Sequence, residues 1–162
     1  MILPPSESQM LGIGCDHAGM ILKQALIEAF PTLQWHDVNA PNTIRQAIPP
    51  LEDYPDSAYA LVHAITRNTI PSGLLICGTG TGMAIAANRF PHIRAVVCVT
   101  PTQARLARAH NDANILCLGA RLIGTEVAKD CLLAFLQTPY TGEERHARRI
   151  EKLCHPPLSC PQ

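Results

Sequence analysis

Net charge is missing from this 162-residue chain: 13 Lys and Arg are matched by 13 Asp and Glu. That balance offers no basic face to nucleic acid and no pull towards an anionic membrane surface. No apolar run reaches the length of a bilayer span, which takes about 20 residues as a helix. The start, Met1-Ile2-Leu3-Pro4-Pro5-Ser6, lacks the basic residues and apolar stretch of a secretion signal. CxxC spacing is absent from the seven cysteines. An odd set, with Cys98, Cys117 and Cys131 in apolar runs, does not read as a disulfide framework. Reduced, buried thiols in a cytoplasmic protein are expected. Internal repeats and low-complexity segments are also lacking.

What is present suits one domain with a real core: 47% of the residues are hydrophobic. Apolar runs alternate with helical patterns, which predicts an α/β domain with a parallel sheet. Five strands are expected over Met10–Gly14, Leu33–Val38, Gly73–Cys77, Arg94–Val99 and Asn114–Leu118. Helical spacing covers Ala18–Phe30, where Ile21, Leu22, Ala25, Leu26 and Ala29 share a face. Further helices are expected from Asp56 or Ser57, either able to cap, to about Arg67, then over Thr81–Phe90, Pro101–His110 and Thr125–Leu136. Glu143–Leu153 reads as a charged terminal helix, and 154–162, with Pro156, Pro157 and Pro161, as a loose tail. The Pro- and Asn-rich stretch from Asn39 to Asp53 reads as a loop.

The chemistry concentrates at Cys77-Gly78-Thr79-Gly80-Thr81-Gly82, between Leu74-Leu75-Ile76 and Met83-Ala84-Ile85-Ala86-Ala87. Glycines at alternate positions let backbone come close to a ligand. The next helix begins with free N–H groups and a partial positive charge, so the loop suits a phosphate or a developing oxyanion. A thiol beside a helix N-terminus is a candidate base or nucleophile, and Cys77 takes that place. The blander reading is a buried structural thiol. Nucleotide loops fit poorly. A Walker loop needs Lys after its last glycine, where Met83 stands. A dinucleotide loop needs an acidic residue about 20 positions on, where Val96, Val97, Cys98, Val99 and Thr100 lie.

Ligands of such sheets sit at the C-terminal ends of the strands. Asp16 and His17 follow the first strand, so they should meet Cys77 on one edge. Asp16 reads equally as a helix cap and His17 as a solvated side chain. His110 and Asn111 lie at the far end of their helix, and serve another active site or need a partner subunit. Their plainer reading is a polar helix end. Arg145 and Arg149, four apart, point to one side and suit a phosphate; a solvated face with Glu143, Glu144 and Glu151 is the alternative. Arg148 falls off that line. Arg121 reads also as a surface arginine. Cys15 points the other way along its strand, into the core. His36, His63, His92 and His155 read as structural or solvated, and Cys154, His155 and Cys160 lack metal-site spacing.

Taken in order, Gly14-Cys15-Asp16-His17-Ala18-Gly19, Asp53-Tyr54-Pro55, Cys77 to Gly82, Ala86-Ala87-Asn88-Arg89, Ile93-Arg94-Ala95, His110-Asn111-Asp112-Ala113-Asn114, Gly119-Ala120-Arg121 and Arg145-His146 resemble ribose-5-phosphate isomerase type B. The wider group includes galactose-6-phosphate isomerase subunits. The likeness runs from about Met10 to Leu153, and several blocks in order are far more specific than any one. It implies a Rossmann-like three-layer αβα sandwich with a five-stranded parallel sheet, the whole chain forming one isomerase domain. It implies aldose–ketose isomerisation of a phosphosugar, ribose 5-phosphate to ribulose 5-phosphate in the pentose phosphate pathway, with no metal and no nucleotide cofactor. It implies a homodimer or tetramer with shared active sites. By motif, Cys77 resembles the base that moves a proton between C1 and C2, and His110 the acid that helps open the furanose ring. Asp16, His17, Tyr54 and Asn111 resemble sugar contacts, and Gly78, Thr79, Gly80, Thr81 and Gly82 the enediolate-binding loop. Arg121, Arg145 and Arg149 resemble phosphate ligands. His110, Asn111, Arg121, Arg145 and Arg149 are expected to act largely across the interface. One branch has Ser for this Cys and a Glu after the glycines; here Met83 fills the Glu place, leaving the thiol. Two departures bear on substrate: a longer 39–53 segment, and Glu143-Glu144 where Gly-Gly is usual. Another sugar phosphate (allose 6-phosphate, galactose 6-phosphate or a tetrose phosphate) or a non-catalytic phosphosugar-binding module are the competing expectations.

Overall fold

The structure, a computed structural model, describes residues 9–40 and 53–155. The strands are β1 (Met10–Cys15), β2 (Gln34–Asp37), β3 (Gly73–Cys77), β4 (Ala95–Val97) and β5 (Ile115–Gly119). They form one parallel sheet in the order β2-β1-β3-β5-β4. The helices are α1 (Met20–Ala29), α2 (Tyr54–Thr66), α3 (Thr81–Ala87), α4 (Pro101–Asn111), α5 (Thr125–Gln137) and α6 (Glu144–Cys154). Side chains alternate across a strand, and here both faces are covered. Leu11, Ile13, Leu74, Ile76, Leu116 and Leu118 pack under α1, α4 and α5. Leu75, Cys77, Ile115 and Cys117 pack under α2 and α3. Full burial of each such aliphatic side chain stabilises by about 1.5–3 kcal/mol, which is why the strands read as continuous apolar runs. The result is a three-layer α/β sandwich, with α6 lying against α4.

Several boundaries move for local reasons. Helix α1 starts at Met20, not Ala18, because Asp16 Oδ1 accepts from the N–H groups of Ala18 (2.9 Å) and Gly19 (3.2 Å) and holds a turn there. Helix α2 starts at Tyr54, so Asp56 and Ser57 fall in its first turn rather than capping it. Ser57 is buried instead, and its Oγ donates to the Cys15 carbonyl at 2.9 Å. Helix α3 stops at Ala87 because the Asn88 side chain leaves the helix line to pair with both the N–H and C=O of Ala95, each at 2.8 Å. Strand β4 is only Ala95–Val97, at the sheet edge. Helix α4 has Pro101 in its first turn and Thr100 as cap, accepting from Gln103 N–H at 3.2 Å. Helix α6 takes in Cys154, which was expected in the tail. The interior of the 39–53 loop, the segment Met1–Ser6, Cys160 and the prolines of the tail lie outside the described residues. Among the described residues, no helix is long and apolar enough to cross a membrane.

Candidate active site

Strand β3 ends at Cys77, directly opposite Gly119 of β5. Its odd-numbered partners Leu75 and Cys77 face α3, the helix that the glycine loop feeds. The loop turns back at Gly80, whose φ of +76° is left-handed and strained for any side chain. That turn aims the Gly80 N–H at the thiol, and it donates to Cys77 Sγ at 3.1 Å. Thr79 Oγ1 accepts from Thr81 N–H at 3.3 Å. Cys77 is buried, while Thr79 and Thr81 are exposed on the loop rim.

Asp16, Tyr54 and Arg121 lie against the loop or the strand end that feeds it. Asp16 N–H donates to the Ile76 carbonyl at 3.2 Å, carrying the end of β1 to the end of β3. Asp16 is half-buried and His17 exposed. Asp16 does not cap α1, whose N-cap is Gly19; its Oδ1 instead holds the Ala18–Gly19 turn just before the helix. Tyr54, at the start of α2, lays its ring on Gly82; a Cβ there would lie 2.7 Å from the ring. Arg121 follows β5, its N–H donating to Gly78 O at 3.0 Å and its guanidinium lying over Gly78. Within its own chain Arg121 is held on this loop, and Ala120 N–H also donates to Cys77 O at 2.8 Å.

The structure does not bring His110, Asn111, Arg145 or Arg149 to this edge. Helix α4 runs back from the C-terminal end of β4, so its last turn lies by the opposite edge, where Asn114 Oδ1 accepts from Arg94 N–H at 2.8 Å. There His110 stacks on His146 of α6, with ring centroids 4.3 Å apart and planes 9° from parallel. Arg145 and Arg149 are exposed, and Arg145 Nε meets Glu143 Oε2 at 2.8 Å. His146 was not singled out by spacing; it is buried and its Nε2 has no hydrogen-bond partner among the described residues. Burial lowers its pKa below 6.5, helped by His110, Arg145 and Arg149 and opposed by Glu143. Its signal was only that it follows Arg145. Asn39 was missed as well. Its Oδ1 accepts from Cys15 N–H (2.8 Å) and its Nδ2 donates to Cys15 O (3.1 Å), steadying the strand end that leads to Asp16.

Four other thiols, Cys15, Cys98, Cys117 and Cys131, are buried. Burial pushes Cys15 up, Cys98 to about 12 and Cys131 to about 11. Cys117 is raised too, by burial first and then by Cys77 and Cys98. Met83 is fully buried in the α2–α3 layer. Among the described residues no three His, Cys, Asp or Glu side chains form a metal-binding group.

The arrangement is a thiol with an amide donor, under a glycine loop and beside a carboxylate, a phenol and a guanidinium. It offers a proton acceptor next to donors for an oxyanion and an anionic group. Residues 11–153 match the family model described as Ribose/Galactose Isomerase. The chain is 38% identical to ribose-5-phosphate isomerase B of Escherichia coli over 143 residues, 88% of this chain and 93% of that protein. It is 41% identical to a putative sugar phosphate isomerase of Rickettsia conorii, over 87% of this chain and 94% of the relative. A crystal structure of a ribose 5-phosphate isomerase from Thermotoga maritima superposes with a TM-score of 0.78 at 42% identity, covering 90% of this chain and 97% of that one. Fold, loop and likeness agree along nearly the full length, and the chain belongs to the ribose/galactose isomerase family.

Proposed function

We propose that this chain is a sugar-phosphate aldose–ketose isomerase that interconverts ribose 5-phosphate and ribulose 5-phosphate, as a cytoplasmic enzyme of the pentose phosphate pathway. The observation that carries this reading is the Cys77 thiol, tied to the Gly80 N–H at the turn of a glycine loop. In the open-chain aldose, the Cys77 thiolate takes the proton from C2. The C2–H electrons form the C1–C2 double bond, and the C1 carbonyl oxygen becomes the enediolate oxygen. Backbone N–H groups from Gly78 to Gly82 stabilise that oxygen; one such donor is worth roughly 3 kcal/mol in a transition state. The O2 proton passes to the enediolate oxygen on C1, which becomes the C1 hydroxyl, while the thiol returns its proton to C1 and C2 becomes the ketone. The steps are redox-neutral and call only on proton transfer. Asp16, His17 and Tyr54 hold the sugar hydroxyls, and Arg121 an anionic end.

Ring opening of the furanose needs an acid, and His110 is assigned to it. Since His110 and Cys77 sit at opposite edges of one sheet, the reading requires a second copy of the chain, which supplies His110, Asn111, Arg145 and Arg149. A homodimer, or a tetramer built from it, with the whole chain as one isomerase domain, satisfies this. A second reading, another sugar phosphate as substrate, is favoured by the ion pair of Glu143 with Arg145 at 2.8 Å, which occupies one phosphate candidate. The deciding experiment compares kcat/KM for ribose 5-phosphate, allose 6-phosphate, galactose 6-phosphate and a tetrose phosphate. The highest value is expected for ribose 5-phosphate. A hexose phosphate or tetrose phosphate ahead of it moves the assignment to that sugar, and no turnover of any leaves a binding module.

A further inference from the structure

Helix α4 ends on a residue that breaks a backbone rule. Asp112 has φ +45°, in the left-handed region, where glycine is the ordinary choice at the end of a helix. A side chain persists there only when its surroundings over-determine it. Here they do. Arg94, just before β4, donates from Nε to the Asp112 carbonyl at 2.8 Å and from Nη2 to Oδ2 at 2.8 Å. Arg108, within α4, donates from Nη1 to Asp112 Oδ1 at 2.9 Å and to the Ala113 carbonyl at 2.6 Å. The Arg108 guanidinium also lies over the Phe135 ring, 5.5 Å from its centre. Both carboxylate oxygens and the carbonyl of one residue are thus held by two arginines, each only partly exposed. Termination of a helix asks for much less: a glycine would turn the chain with no strain and no ion pairs.

The two residues directly before this clamp are His110 and Asn111. On the other side of the same turn, Thr141 donates from N–H and Oγ1 to the Ala109 carbonyl, at 3.1 and 2.9 Å. The His110 ring is then set flat against His146. We propose that Asp112, gripped by Arg94 and Arg108, is a positioning residue that orients the last turn of α4 and with it His110 and Asn111 towards the substrate. The proposal rests on the assignment of His110 as the ring-opening acid.

The test is a double-mutant cycle on the whole enzyme, read as kcat/KM for ribose 5-phosphate with Tm beside it. Asp112→Gly keeps the left-handed turn without strain and removes the carboxylate. It is expected to keep a Tm near the parent's while kcat/KM falls about ten- to a hundredfold, the scale of a small misplacement of a reacting group. His110→Ala should lose at least as much, and the double variant should be no worse than His110→Ala. A double variant whose loss is the product of the two single losses overturns the proposal, because Asp112 then acts apart from His110. Parental kcat/KM in Asp112→Gly overturns it as well. Parental activity in His110→Ala overturns the acid assignment, and the proposal falls with it; the single variants separate that outcome from the first two. Should Asp112→Gly fail to fold, Asp112→Asn, which tolerates the left-handed turn and keeps one acceptor but no charge, enters the same cycle under the same criteria.

Discussion

At Cys77 the chemistry depends on one sulfur and the amide that faces it. Replacing Cys77 by Ala removes the proposed base and leaves the loop amides in place. Exchange of the C2 proton with D₂O should then stop, and kcat should fall by about 10²–10⁴-fold, the usual worth of a positioned acid–base group. Binding of ribose 5-phosphate, followed by calorimetry, should persist. Undiminished exchange would assign the proton to another group. Gly80 is the second single-residue lever. Its φ of +76° costs an L side chain about 1–2 kcal/mol, and an added Cβ would press on the backbone of Leu118 at 3.1 Å. Gly80→Ala should therefore lower Tm and kcat together, since the same turn supplies the amide that meets Cys77. A variant with parental Tm and kcat would show that the loop reshapes without loss. Burial raises the pKa of the core thiols Cys98, Cys117 and Cys131.

Two helices carry the groups that a single chain leaves far from the thiol. Helix α4 brings His110 to the edge opposite Cys77, and α6 lies on it through the His110–His146 stack. His146 sits with its pKa lowered from 6.5, so the fold prefers the neutral ring. The sign follows from linkage: the unfolded chain binds this proton more readily than the folded one. Stability from the neutral ring is fully present above about 6.5 and is lost as pH falls through the folded value. The difference in Tm between pH 7.5 and pH 5 should shrink in His146→Phe, which keeps the stack but cannot titrate. An equal pH dependence in parent and variant would remove His146 from the pH response. These features were poorly legible in sequence. Helical spacing located α4 and α6, and i,i+4 spacing put Arg145 and Arg149 on one side. Nothing in spacing told that His146 is the buried face of α6, or that Asp112 takes a left-handed turn between two arginines.

For the whole molecule, the separation of Cys77 from His110 makes the assembly part of the proposed mechanism. Cys77→Ala and His110→Ala, each strongly impaired alone, should recover activity when unfolded together and refolded as a mixture, because a mixed dimer contains one site with both groups intact. Failure of every mixture to exceed its parents would place both groups in one chain's site. Local sequence alone determined the alternation of strands and helices, the glycine loop after β3, and the place of Asp16 at the strand-end edge beside Ile76. Short-range physics suffices there: apolar periodicity, glycine and parallel strands that put loop ends on one edge. The tertiary structure decided which side each long-range group takes. It set Arg121 on its own loop through the pairing of β3 with β5, moved Ser57 from a cap to a buried donor for Cys15, and sent His110 to the opposite edge. Those outcomes depend on contacts between residues far apart in the chain, which spacing does not encode, since one periodic pattern fits several packings until the core layers close.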